Sequence, residues 1–61
     1  MKTVMNIYLD PMYEHYIEGQ AELLELIKSD TMFRYYRVKF LIDGIVGIRK
    51  IKNSNFLNLG E

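Results

Sequence analysis

The sequence predicts a small, mainly β domain of antiparallel strands with one short helix, and three features carry that reading. Residues 3–9 alternate, with Met5, Ile7 and Leu9 on one side and Val4, Asn6 and Tyr8 on the other, which is the period of a half-buried strand. Residues 33–52 hold a second alternating pattern interrupted by Asp43-Gly44, a strong hairpin signal. Turn-forming clusters at Ser29-Asp30-Thr31 and Asn53-Ser54-Asn55 divide the rest into short pieces.

The first strand ends at Asp10-Pro11. Asp suits a helix N-cap and Pro the first helical position, where its missing N–H is no loss. Met12, Tyr13, Tyr16 and Ile17 then share one helical face, and Gly19 offers a C-cap, so the spacing predicts a short helix over residues 11–18. Residues 20–28 are open to two readings. Their helix formers would extend one helix over 11–29 in a βαββ arrangement, at a cost of about 1 kcal/mol for the internal Gly19. As a strand they place Ala21, Leu23 and Ile27 on one face and Leu24 and Leu26 on the other, with Glu25 misplaced. In the hairpin, Tyr36, Val38, Phe40 and Ile42 line one face. A two-residue Asp43-Gly44 turn sets Ile42 against Ile45, Phe40 against Gly47, Val38 against Arg49 and Tyr36 against Ile51. The opposite face then pairs Leu41 with Val46, Lys39 with Ile48, Arg37 with Lys50 and Tyr35 with Lys52. Phe56, Leu57 and Leu59 follow in a tail, residues 53–61, too short to own a core; it must dock on the domain or on a partner.

Size and charge narrow the function. A chain of 61 residues forms one domain and hides only about 60% of its unfolded surface, leaving no room for a deep enzymatic cleft. Without cysteine there are no disulfides or thiolate metal sites. No apolar run nears the roughly 20 residues of a membrane span, and the first ten residues do not read as a signal peptide, so a cytoplasmic protein with no membrane contact is expected. The zero net charge hides a split. Residues 1–31 carry two lysines against six acids, and residues 32–61 six bases against two acids. Such halves either neutralise one another within a monomer or draw copies together.

The run Tyr16-Ile17-Glu18-Gly19-Gln20-Ala21-Glu22-Leu23, then Tyr36-Arg37-Val38-Lys39-Phe40, Asp43-Gly44 and Arg49-Lys50-Ile51 resembles small uncharacterised proteins of bacteriophages and prophages of Gram-positive bacteria. It also resembles SH3-like small barrels, in which a meander of bent strands closes around a minimal core. The resemblance covers residues 13–51. It implies that residues 19–27 form a strand, tertiary pairing overriding helical propensity. It further implies a phage-encoded inhibitor of a host protein, an antiviral defence protein among the possible targets, working in the host cytoplasm.

No catalytic, cofactor or metal site is expected. His15 is the only histidine and reads as solvent-exposed; Glu18, Glu22 and Glu25 read as a solvated acidic face. No glycine-rich phosphate loop, nucleophile elbow or zinc spacing is present. Five tyrosines are more than so small a core can take, and Tyr is enriched at protein interfaces. The candidate interface comprises Tyr8, Tyr13, Tyr16, Tyr35, Leu26, Ile48, Phe56, Leu57 and Leu59, on a non-enzymatic protein expected to bind a host protein and to form homodimers. The alternative is a small barrel that binds single-stranded nucleic acid through Arg37, Lys39, Lys50, Lys52 and Tyr35.

Overall fold

The computed structural model describes the backbone of residues 2–59 and the side chains of residues 2–56. Four antiparallel strands form one sheet in the order of the chain: β1 (Val4–Asp10), β2 (Tyr13–Ser29), β3 (Phe33–Phe40) and β4 (Val46–Lys52). A 3-10 helix, Asn53–Leu59, follows. The mainly β meander is the architecture the sequence predicts. The sheet curls until β1 lies near β4, across a narrow seam bordered by Asn6, Tyr8, Lys50 and Asn55.

β2 is long enough to serve two neighbours. Its first half pairs with β1, from Tyr13 opposite Asp10 to Glu22 opposite Val4. Its second half pairs with β3, from Ala21 opposite Phe40 to Ser29 opposite Arg34. Register shifts fall in both ladders, between Ile7 and Asp10 of β1 and between Leu23 and Lys28 of β2, and such bulges sharpen strand bending.

The helix expected over residues 11–18 does not form. Asp10 Oδ1 accepts the Met12 N–H at 3.0 Å, so Asp10-Pro11 makes a tight turn and Tyr13 begins a strand. Nor is there a helix over 11–29. Glu25, the misfit of the strand pattern, is explained by the irregularity beside Leu24: it stands opposite Arg37, and Leu26 opposite Tyr36.

The β3–β4 hairpin sits two residues from the register of a two-residue turn. Val38, and not Phe40, faces Gly47; Tyr36 faces Arg49, Tyr35 faces Lys50, Arg37 faces Ile48 and Lys39 faces Val46. A type I′ turn needs positive φ at both central residues, and here Gly44 alone has it (φ 74°). Asp43 Oδ1 instead accepts the Ile45 N–H at 3.0 Å, and residues 41–44 form a longer loop closed by the Phe40 N–H to Ile45 carbonyl bond of 2.9 Å. A slip of two leaves every side chain on its predicted face. Ile42, however, leaves the sheet.

The core is Ile7, Ala21, Val38, Phe40, Ile51 and Phe56, with Met5, Leu23 and Tyr36 packed against it. Phe40 lies close over β2, and a Cβ on Gly19 would stand 3.2 Å from its ring. Phe56 was expected in an interface; it is a core residue, 3% exposed, stacked on Tyr36 at 5.7 Å with the Arg34 guanidinium 4.2 Å from its ring. The 3-10 helix is also tied at its start. Asn53 donates its backbone N–H to the Met32 carbonyl and its amide to the carbonyls of Asp30 and Thr31. The side chains of Leu57 and Leu59, the other tail candidates, lie outside the described residues.

Truncating Phe56 to Ala should therefore cost about 3 kcal/mol in urea unfolding, a large share of the roughly 5 kcal/mol available to a domain this small. An unchanged midpoint would show that the tail does not close the core.

Candidate functional site

Among the described residues fifteen large apolar side chains are exposed, against five, with Ala21, in the core. Where they gather depends on β2. The ladder with β3 begins at Gln20, whose carbonyl accepts the Leu41 N–H at 3.0 Å, so residues 13–19 have only β1 beside them. This part of the sheet is a two-stranded ribbon, with residues 12–18 exposed on both faces. It presents Leu9, Met12, Tyr13, Tyr16 and Ile17; Tyr16 is 74% exposed. His15 stands beside both tyrosines, its ring 6.4 Å from Tyr13 and 6.5 Å from Tyr16.

A second apolar group crowns the β3–β4 hairpin: Leu41, Ile42, Ile45 and Val46, with Ile48 beyond them on β4. Between this hairpin and β2 the chain leaves an open cleft of about 370 Å³ lined by Glu18, Gly19, Gln20, Leu41 and Ile42.

Of the expected interface residues, Tyr13, Tyr16, Leu26 and Ile48 are exposed and Tyr8 and Tyr35 half-buried. Only Tyr8, Tyr13 and Tyr16 lie on the ribbon, Tyr8 and Tyr13 on one face and Tyr16 on the other. Tyr35 and Ile48 lie on neighbouring strands of the hairpin, and Leu26 is on the far half of β2. Leu9, Met12, Ile17, Ile42 and Ile45 escaped the sequence reading. Leu9 fits an alternating strand, Met12 and Ile17 fit a helix face, and a two-residue turn keeps Ile42 in the sheet.

The charged halves meet inside the monomer. Arg49 holds Glu18 with two hydrogen bonds, Nε to Oε1 and Nη2 to Oε2, both 2.9 Å. Arg37 pairs with Glu25, and Lys39 stands opposite Glu22 across the β2–β3 ladder. The expected nucleic-acid set is thereby divided. Arg37 and Lys39 face acids, whereas Lys50, Lys52 and Tyr35 gather with Lys28 at the other end of that sheet face. There the Lys28 ammonium lies 4.7 Å from the centre of the Tyr35 ring and the Lys50 ammonium 4.5 Å from that of Phe33. The Tyr35 face that would stack a base already carries a lysine. Among the described residues no three His, Asp or Glu side chains come together as a metal site, and no helix is long and apolar enough to cross a membrane.

No protein-family model, curated protein or solved structure matches the chain.

The Glu18–Arg49 pair gives the stability of the fold a pH dependence. The hydrogen bonds from Arg49, aided by its charge and opposed by partial burial, hold the Glu18 carboxyl below its ordinary value of 4.5. A carboxylate whose folded pKa is depressed adds stability above its unfolded value and loses it as pH falls through the folded one. Asp30, whose carboxylate accepts the Met32 and Phe33 N–H groups, is lowered too and acts in the same direction. Glu18→Gln should cost about 1 kcal/mol at neutral pH, in the range of a partly exposed pair. The difference from wild type should vanish below the carboxylate range. Equal urea midpoints at pH 7, or a gap that persists in acid, would contradict this.

Proposed function

We propose that this protein is a non-enzymatic interaction protein that binds a host protein, occupies one of its surfaces and so inhibits it, acting as a homodimer. The resemblance to phage and prophage proteins supplies the setting, the host cytoplasm during infection with an antiviral defence protein as the target. The observation that supports the binding role best is the ribbon. Two strands without a covering layer are marginal in water, and this pair carries Leu9, Met12, Tyr13, Tyr16 and Ile17 into solvent. Tyr13 and Tyr16 are suited to a protein partner because each buries a large flat ring while its hydroxyl keeps a polar contact. Inhibition by occupancy requires no chemistry from the chain. It requires a surface held in shape, which the Asp10 turn and the β1 ladder supply.

The internal pairing of charge is consistent with this role. With Glu18, Glu22 and Glu25 facing Arg49, Lys39 and Arg37, recognition at the ribbon rests on apolar and aromatic contact, modulated by its other two acids, Asp10 and Glu14. The test is capture from host lysate by the tagged wild type and by a Tyr13→Ser/Tyr16→Ser variant, whose exposed substitutions leave the fold intact. The wild type should retain a host protein that the variant releases. Retention of no protein by the wild type, or equal retention by both, would count against the proposal.

A further inference from the structure

Pairing of charge within the monomer leaves one group of cations over. Arg37 pairs with Glu25, Arg49 with Glu18, and Lys39 stands opposite Glu22, whereas Lys28, Lys50 and Lys52 have no acid within ion-pair distance among the described residues. The ladders bring these three lysines together. Lys28 lies opposite Tyr35, Tyr35 opposite Lys50 and Phe33 opposite Lys52, so the group spans β2, β3 and β4 at one end of the sheet. Residues two apart on a strand share a face at about 7 Å, and strands on either side of a common neighbour lie about 10 Å apart. Three ammonium groups therefore share a patch of that size. Two of them are held on rings, Lys28 at 4.7 Å from the centre of Tyr35 and Lys50 at 4.5 Å from that of Phe33. A side chain already placed loses less freedom when a partner docks. Asp30 stands near enough to feel the charges of Lys28 and Lys50, but its Oδ1 is committed to the Met32 and Phe33 N–H groups of its own turn.

We propose that this lysine end of the β2–β4 sheet is a docking site for a short acidic segment of a partner protein, bound extended with carboxylates on alternate residues. The sign of the partner follows from the uncompensated charge. Its form follows from the spacing, because carboxylates on alternate residues of an extended segment repeat at about 7 Å, as Lys50 and Lys52 do along β4. Lys28, across the sheet, is placed to take a further carboxylate. The small extent of the patch separates this partner from nucleic acid. A single strand gains affinity from many phosphate contacts and from stacked bases. Here only three lysines gather, Glu25 and Asp30 flank them along β2 and the turn beyond it, and the exposed faces of Tyr35 and Phe33 already carry ammonium groups. A segment of two or three acids ends before it meets those flanking carboxylates. The site shares no residue with the ribbon, so host capture by the ribbon does not depend on it.

Fluorescence anisotropy of a dye-labelled peptide of alternating Glu and Ser tests the assignment. The same peptide with Gln for Glu and an oligothymidine of similar length serve as comparators, and far-UV circular dichroism verifies that each variant is folded. The wild type should bind the Glu peptide with an affinity that falls as salt is raised, and the Gln peptide at least tenfold more weakly. Lys28→Gln/Lys50→Gln should weaken the Glu peptide at least tenfold. Lys52→Gln, which leaves both ring contacts in place, should weaken it severalfold. No binding of the Glu peptide by the wild type, equal binding of the Gln peptide, or unchanged affinity in both variants would overturn the site. Tighter binding of the oligothymidine than of the Glu peptide would overturn the acidic segment as its occupant and assign the lysines to nucleic acid.

Discussion

The close approach of the Phe40 ring to the middle of β2 is the constraint on which the rest of the structure depends. Phe40 is the largest core residue of the β3–β4 hairpin, and it lies opposite Ala21 and against Gly19, where the small side chains of β2 make room. At this point β2 takes up β3 while still paired with β1, Ala21 standing between Met5 and Phe40. A larger residue at 19 would meet the ring, a Cβ there standing 3.2 Å from it. Fully burying so few apolar residues gives only on the order of 10 kcal/mol before chain entropy is counted, so each contact around the ring is a sizeable part of the total.

Arg49 links that core to the surface. Its guanidinium lies 5.3 Å from the Phe40 ring centre and binds Glu18 on the first half of β2, tying the last strand to the part of the sheet that β3 does not reach. Gly47 leaves space for it, since a Cβ there would stand 2.8 Å from Nη1. The same ion pair borders the cleft beside Ile42. One side chain thus covers the core and braces the curl of the sheet, which makes the charge split in the sequence a feature of folding.

The strands were legible where alternation was strict. β1 and the hairpin follow from it, as does the inward set Tyr36, Val38 and Phe40, because the two-residue slip preserves facing. Legibility failed where one local signal serves two structures. Asp10-Pro11 caps a helix or makes a turn, and the choice rests with pairing to β1, which no local pattern records. The apolar spacing of Met12, Tyr13, Tyr16 and Ile17 mimicked a helical face because all four are exposed and serve no core. Bulges hid the alternation of residues 20–28, and the Asp43-Gly44 signal marked the hairpin while leaving its loop length open. The ribbon was only partly legible, through its tyrosines, because the exposure of Leu9, Met12 and Ile17 follows from the long-range bend of β2.

The same bend leaves residues 13–19 beyond the reach of β3, exposing the ribbon on one side of Gly19 and opening the cleft beside Gln20 on the other. The most direct test of this account is the nuclear Overhauser pattern of isotope-labelled protein around Gly19. The bend predicts cross-peaks from the Gly19 α-protons to the Phe40 ring and across the ladder to Ile7, with strong sequential α-to-amide contacts through residues 13–19. Medium-range helical contacts over residues 11–18, or no contact between Gly19 and Phe40, would contradict it.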